Sequence, residues 1–310
     1  MPPSLPLTIG PAALDEQLAA LRLLFRSVAE LDRETRVWDA YRLLRRGDLH
    51  SEGLIVARRD GQLCGVVLCA PVAGACALLW PPQTRTSGDG SALEDALLRR
   101  ASAWLRQRDV KLVQALLSPS ENAGAASLPR NGFARLTQLC YLRHFLDLSA
   151  AQLGAMERLH YQTYADDPDI FGATVMRTYE QSSDFPEITG VRQLKDILAG
   201  HMAQGNYRPD HWWLAHYRHR PVGVLILTEM PEWRSWDVSY VGVVPEARGR
   251  GVGRELMLKA LLEAKTVAAP QLTLAVDARN QPARQLYRRL GFEEYDQRDV
   301  YLAIWNRAND

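Results

Sequence analysis

The order of periodic segments along this chain occurs twice, and that repetition restricts the fold more than any single motif does. In the first half, apolar residues recur at helical spacing over 14–30 (Leu14, Leu18, Leu21, Leu24, Phe25, Val28), and a second helix is predicted at 35–46. Short apolar runs at 53–57 and 63–70 flank Arg58-Arg59-Asp60-Gly61, whose Asp-Gly step predicts a hairpin. A strand at 77–80 closes on Pro81-Pro82. An amphipathic helix follows at 91–108, with Ser91 as N-cap and Glu94 at the capping-box position. Strands at 110–117 and 133–146 complete the half. The second half runs through the same order. It has helices at 150–165 and 193–204, joined by a polar connection that holds Asp166-Asp167-Pro168-Asp169, then a hairpin of 212–216 with 221–228. A strand at 237–244, a helix at 254–268 and a strand at 271–276 come next. A short helix capped by Asn280 and last strands at 292–305 end the chain. The repetition predicts two α/β domains, 1–147 and 148–310, each of ordinary domain size.

The two halves differ where the second carries its most specific chemistry. After the strand that starts at Asp237, Pro245 stops the extended run, and Arg248-Gly249-Arg250-Gly251-Val252-Gly253-Arg254 leads into a helix. Gly249, Gly251 and Gly253 remove every second side chain, so backbone N–H groups can converge on an anion at a helix N-terminus. Gly242 within the strand predicts a bulge or a close backbone approach by a ligand. The matching stretch of the first half runs from Trp80 to Gly90, where Gly88 and Gly90 do not reproduce the pattern and Asp89 would repel a phosphate. The first half keeps the architecture without the chemistry.

Bulk properties exclude several classes of partner. With 37 Lys and Arg against 36 Asp and Glu, the net charge of +1 gives no electrostatic footprint for nucleic acid or an anionic membrane. Cys64, Cys69, Cys76 and Cys140 lack metal-ligand spacing and read as buried thiols of a reducing compartment. His211, His216 and His219 straddle a strand and a turn, so they read as surface histidines and no metal site is expected. The start Met-Pro-Pro-Ser-Leu-Pro-Leu reads as neither signal peptide nor membrane span, and a cytoplasmic location is expected. Nothing in the sequence bears on oligomeric state.

Two motifs in the second half carry a family resemblance. Arg248-Gly249-Arg250-Gly251-Val252-Gly253 matches the acyl-CoA signature Arg/Gln-x-x-Gly-x-Gly/Ala, and Asn280, Ala283, Leu286, Tyr287, Gly291 and Phe292 match Asn-x-x-Ala-x-x-Leu-Tyr-x-x-x-Gly-Phe. The second half thus resembles the GNAT superfamily of N-acetyltransferases, and the first half a degenerate copy of it. The resemblance implies two tandem domains, each a central, mostly antiparallel mixed sheet flanked by helices. It implies acetyl-CoA as cosubstrate and a primary amine as acceptor. By position, the backbone of Val241, Gly242 and Val243 would pair with the pantetheine and thioester. Residues Gly249, Arg250, Gly251, Val252, Gly253 and Arg254 would hold the pyrophosphate, with Arg248 in the signature, and Asn280 would bind near the pantetheine arm.

The implied reaction is direct attack of the amine on the thioester. Tyr287 stands where the family's usual proton donor to the leaving thiolate stands. The general base is open: Ala275 occupies the position of the motif glutamate in one branch, whereas Asp237 falls where another branch places its acid. Strand alternation puts Asp237, Ser239, Val241 and Val243 on one face. Tandem acetyltransferases of this length include mycothiol synthase, so a small-molecule acceptor of that kind and a protein N-terminus or lysine are both open. A non-catalytic acyl-CoA sensor is the alternative from another class.

Overall fold

The computed structural model describes residues 7–85, 90–147 and 158–305, and forms two compact units. The first is Met1–Thr137 with Arg298–Asp310, and the second is Gln138–Gln297.

In chain order the first unit has β1 (Leu7–Pro11), α1 (Gln17–Leu24), α2 (Glu30–Arg46), β2 (Leu54–Arg59), β3 (Gln62–Val72), β4 (Cys76–Thr84), α3 (Ser91–Arg106), β5 (Leu112–Leu117) and α4 (Ser127–Arg130). β1 to β4 pair antiparallel in sequence order, and β4 pairs parallel with β5 over Cys76–Leu78 only. Leu93, Leu97, Leu98, Ala101 and Leu105 of α3 lie on one stripe and pack on one face of the sheet with Ile55, Val67 and Cys69. Leu21, Leu24, Val37 and Leu44 of α1 and α2 cover the other face with Val56, Val66 and Leu68. Helix α3 starts at Ser91 with Gly90 as its N-cap, so Ser91 lies inside the helix. Gly88 and Asp89 lie outside the described residues.

The second unit contains the end of β6 (Ala134–His144), β7 (His160–Thr163), α5 (Pro168–Tyr179), α6 (Leu194–Met202), β8 (Trp212–Tyr217), β9 (Arg220–Met230), β10 (Ser235–Val243), α7 (Val252–Thr266), β11 (Leu272–Asp277), α8 (Gln281–Arg289) and the start of β12 (Glu293–Ile304). The helix expected at 150–165 is corrected here: 150–157 lie outside the described residues, and His160–Thr163 is a strand paired with β8. Among the described residues the first helix of this unit is α5, inside the stretch expected to be a polar connection. Its start has a local cause, because the Asp167 carboxylate accepts the Ile170 N–H at 2.9 Å and Pro168 occupies the first turn. Phe171 and Val175 then bury against Trp212, Leu214, Val224 and Ile226.

Each unit takes a strand from the other half of the sequence. In the second unit β11 pairs with Leu139–His144 of β6, placing Cys140 and Leu142 beside Leu272, Leu274 and Val276. In the first unit β5 pairs with Asp299–Ile304 of β12, where Tyr301 and Ala303 join Val113 and Ala115 in the core. A cut at 147/148 therefore assigns residues 138–147 and 298–310 differently from the compact units. Alternation of apolar residues reports which face of a strand is buried, not which neighbour it pairs with.

Candidate active site

The site grows from a strand that leaves its neighbour. β10 and β11 run parallel but pair only at Trp236–Leu272 and Asp237–Thr273, while β10 stays paired with β9 as far as Val243. Between Val238 and Tyr240 the register against β9 shifts, and Ser239 is the extra residue. Such a bulge bends a strand and adds twist, which accompanies the parting of β10 from β11. It also reverses the alternation. Trp236, Val238, Val241 and Val243 share the core under α7, whereas Asp237 and Ser239 lie on the opposite face. The expectation that Asp237, Ser239, Val241 and Val243 share one face is thus corrected, because one extra residue moves everything beyond it by half a period.

Gly242 lies beyond the bulge and is buried. A Cβ built there would sit 2.6 Å from Thr178 Oγ1 and 2.7 Å from Thr178 Cβ, so its bare Cα lets α5 close on the strand. Thr178 Oγ1 also lies 2.7 Å from Tyr240 Oη. Gly242→Ala is expected to cost about 1–3 kcal/mol in a denaturant titration, the usual range for overpacking a filled core. No loss would show that α5 can move away from the strand at little cost.

The turn after β10 is fastened from below. Arg248 donates through Nε to the Val243 carbonyl (3.1 Å), through Nη1 to Gln181 (2.9 Å) and through Nη2 to Thr178 (3.0 Å) and Glu180 (2.7 Å). Its guanidinium meets carbonyls at the C-terminal end of α5, where a cation is favoured, so it positions the turn. Gly249 and Gly251 have φ of +71° and +85°, the left-handed region that glycine enters without a Cβ penalty. Gly251 is the N-cap of α7, which opens with Val252, Gly253 and Arg254. Arg250 and Arg254 are exposed. The Arg158 guanidinium lies over this turn, with Nη2 2.8 Å from the position a Gly251 Cβ would take. Glu255, buried in the first turn of α7, accepts the N–H groups of Arg158 (3.2 Å) and Leu159 (2.8 Å), holding the start of β7 to that helix.

Helix α8 brings the second motif to the first. The Asn280 side chain caps it by accepting the Ala283 N–H at 3.3 Å. A Cβ on Gly253 would lie 3.6 Å from Leu286 Cδ2 and 3.7 Å from Val243 Cγ2, so β10, the first turn of α7 and α8 converge around Gly253. Tyr287 is 6% exposed, packs against Phe292 at 5.9 Å between ring centroids, and has its phenol pKa raised by burial and then by the Asp184 charge. The Asp237 carboxyl, on the other face, is pushed up to about 6 by burial, opposed by hydrogen bonds from Thr273 and Ser239. Thr273 Oγ1 lies 2.7 Å from its Oδ1. Tyr287 lies in the core beneath α7, and Asp237 lies on the other face of β10. Ala275 is exposed on β11 and offers no acid there.

How the carboxylates at the N-terminus of α8 pair is not visible in the sequence. Asp184 accepts the Asp277 N–H at 3.0 Å, while Asp277, fully buried, pairs with Arg279, which also forks onto Glu187 at 2.6 and 3.0 Å. Partners about 92 residues apart leave no local signal. His211, expected at the surface, is 7% exposed and packs on Trp236 at 4.6 Å. Among the described residues no group of three or more His, Cys, Asp or Glu is placed to hold a metal, and no helix is long and apolar enough to cross a membrane.

A splayed parallel strand pair, a glycine turn at a helix N-terminus and a capped helix carrying a buried phenol define an acyl-transfer fold. The acetyltransferase (GNAT) family model matches residues 157–292. Mycothiol acetyltransferase of Thermomonospora curvata is 30% identical over 247 residues, 78% of this chain and 79% of the relative. That of Actinosynnema mirum is 27% identical over 319 residues, 94% of this chain and 97% of the relative. The fold is shared with a GCN5-related N-acetyltransferase from Sphaerobacter thermophilus (TM-score 0.64, 16% identity, 99% of each chain). It is shared too with a tandem GNAT protein from the clavulanic acid biosynthesis pathway (TM-score 0.52, 17% identity, 98% of this chain and 100% of that one). The chain belongs to the GNAT family and is an N-acetyltransferase.

Proposed function

We propose that the chain transfers an acetyl group from acetyl-CoA to the primary amine of a small molecule by direct attack, at a site in the second unit. The observation that carries this reading is the convergence of Val243, Gly253 and Leu286, which joins the open edge of β10 to the glycine turn and to the helix of Tyr287. The backbone of Val241, Gly242 and Val243 pairs with the pantetheine amides. The N–H groups of residues 249–254, at the positive end of α7, receive the pyrophosphate, and Arg250 and Arg254 add charge beside it. Asn280 serves the pantetheine arm and caps α8.

An amine with a pKa near ~10 is mostly protonated at neutral pH, and Asp237 takes its proton directly or through a water. The amine nitrogen attacks the thioester carbonyl, whose developing oxyanion is met by the Val243 N–H. When the C–S bond breaks, Tyr287 protonates the thiolate. The products are an N-acetyl amide and CoA.

The first unit supports a single site per chain. Where β4 runs on beyond its pairing with β5, Pro81 and Pro82 carry no N–H. Just beyond them Arg26 donates to the Thr84 carbonyl at 2.6 Å and to Gln83 Oε1 at 3.0 Å. Native mass spectrometry and calorimetric titration are expected to give one acetyl-CoA per chain; two would overturn the degenerate-copy reading. Small-molecule acceptors are favoured because similarity to the mycothiol acetyltransferase of A. mirum spans 94% of this chain. Release of CoA during incubation with pooled small amines tests the activity. Binding of acetyl-CoA without release against any small amine, peptide N-terminus or lysine would favour a sensor instead.

A further inference from the structure

We propose that Asp184 is a positioning residue for the proton donor, latching the segment between α5 and α6 onto the N-terminus of α8 and setting a negative charge opposite the Tyr287 phenol. This rests on the reading of Tyr287 as that donor. The latch is a closed ring of bonds. Asp184 Oδ1 accepts the Asp277 N–H at 3.0 Å, and the Phe185 N–H donates back to Asp277 Oδ2 at 3.3 Å. The Asn280 side chain adds a hydrogen bond to the Asp184 carboxylate while its own oxygen caps α8. Arg279 closes the assembly from outside by bridging Asp277 to Glu187.

The backbone shows that this arrangement is imposed. Phe185 has φ +43° and Gln181 φ +53°, left-handed conformations in which a non-glycine Cβ crowds the following carbonyl oxygen. A surface segment held in such conformations by a ring of long-range bonds is built to present a group, and the group within the ring is the Asp184 carboxylate.

The charged and titratable groups facing Asp184 come from three elements. Asp277 lies on β11, with Arg279 just beyond its end; Tyr240 lies on β10; Tyr287 lies on α8. Burial and Asp277 raise the Asp184 carboxyl, whereas the Asp277 N–H, Asn280 and Arg279 lower it. For Tyr287, Asp184 is the charge that opposes ionisation, since a like charge disfavours the phenolate. The Asp184 charge thus adds to burial in opposing loss of the phenol proton.

The test compares Asp184→Asn with the charge-preserving Asp184→Glu. In Asp184→Asn the alkaline limb of the kcat profile should move to lower pH. In Asp184→Glu the limb should stay in place. Ultraviolet titration of the Tyr287 phenol, taken as the difference between each protein and its Tyr287→Phe counterpart, should show the same downward shift in Asp184→Asn only. An unchanged phenol titration in Asp184→Asn overturns the proposal whatever the activity does. Unaltered turnover in Tyr287→Phe removes the donor reading instead, and the titration still decides on Asp184 by itself.

Discussion

Replacing Tyr287 by phenylalanine is expected to lower turnover by at least about tenfold while leaving the protein folded. The ring is buried against Phe292 and fills the core beneath α7, and phenylalanine keeps that volume. Only the hydroxyl is lost, and with it the proton for a leaving thiolate whose ordinary pKa is about 8.5. General-acid catalysis of this kind is worth about 10²–10⁴ when the donor is well placed, and water entering the gap recovers part of it. The loss should fall on kcat, with KM for acetyl-CoA nearly unchanged, because the interaction forms only as the C–S bond breaks. Equal turnover of the two proteins with the same amine would remove Tyr287 as donor.

Asp237→Asn carries the second large effect, and it has two signs. As a base Asp237 must be ionised, and its carboxyl is pushed up to about 6. The kcat of the unaltered enzyme should therefore rise through about pH 6 and then level. The asparagine variant should lose this rise and fall by about 10² on the plateau. Stability should move the other way. Below the ordinary carboxyl value of 3.8 the group is protonated in both the folded and unfolded chain. Between there and about 6 the folded state holds the extra proton, so stability drops as pH rises across that window. Above it the buried charge costs about 2–3 kcal/mol, which asparagine does not incur. A variant that is slower and yet melts higher than the parent at a pH of about 8, above that window, is the expected signature. A variant with the parent's pH profile would exclude Asp237 as base.

Part of the site is legible in the sequence because its chemistry is local. Gly249 and Gly251 stand where the backbone is left-handed, and no other residue type enters that region as cheaply. Asn280 caps a helix whose first turn holds Pro282, a pattern that needs only neighbours within one turn. Asp167 and Pro168 carry the same kind of signal for α5, but the acidic run around them masks it and favours a polar connection. Gly242 is ambiguous for another reason. A bare Cα in a strand suits a ligand or a helix equally well, and the helix residue that packs on it, Thr178, stands 64 residues away in the chain.

The sequence by itself determined the two tandem domain-sized repeats, the glycine turn at a helix N-terminus, the capped helix and the phenol upon it. Each depends on backbone conformations or periodicities set within a few residues. The tertiary structure alone decided where β10 parts from β11, which face Asp237 occupies, which strand each unit takes from the other half of the chain, and that Asp184 meets the corner of β11 and α8. The bulge at Ser239 shows the reason: one unpaired residue costs little locally, but it reverses every side chain beyond it, and only pairing with β9 reveals that it is there.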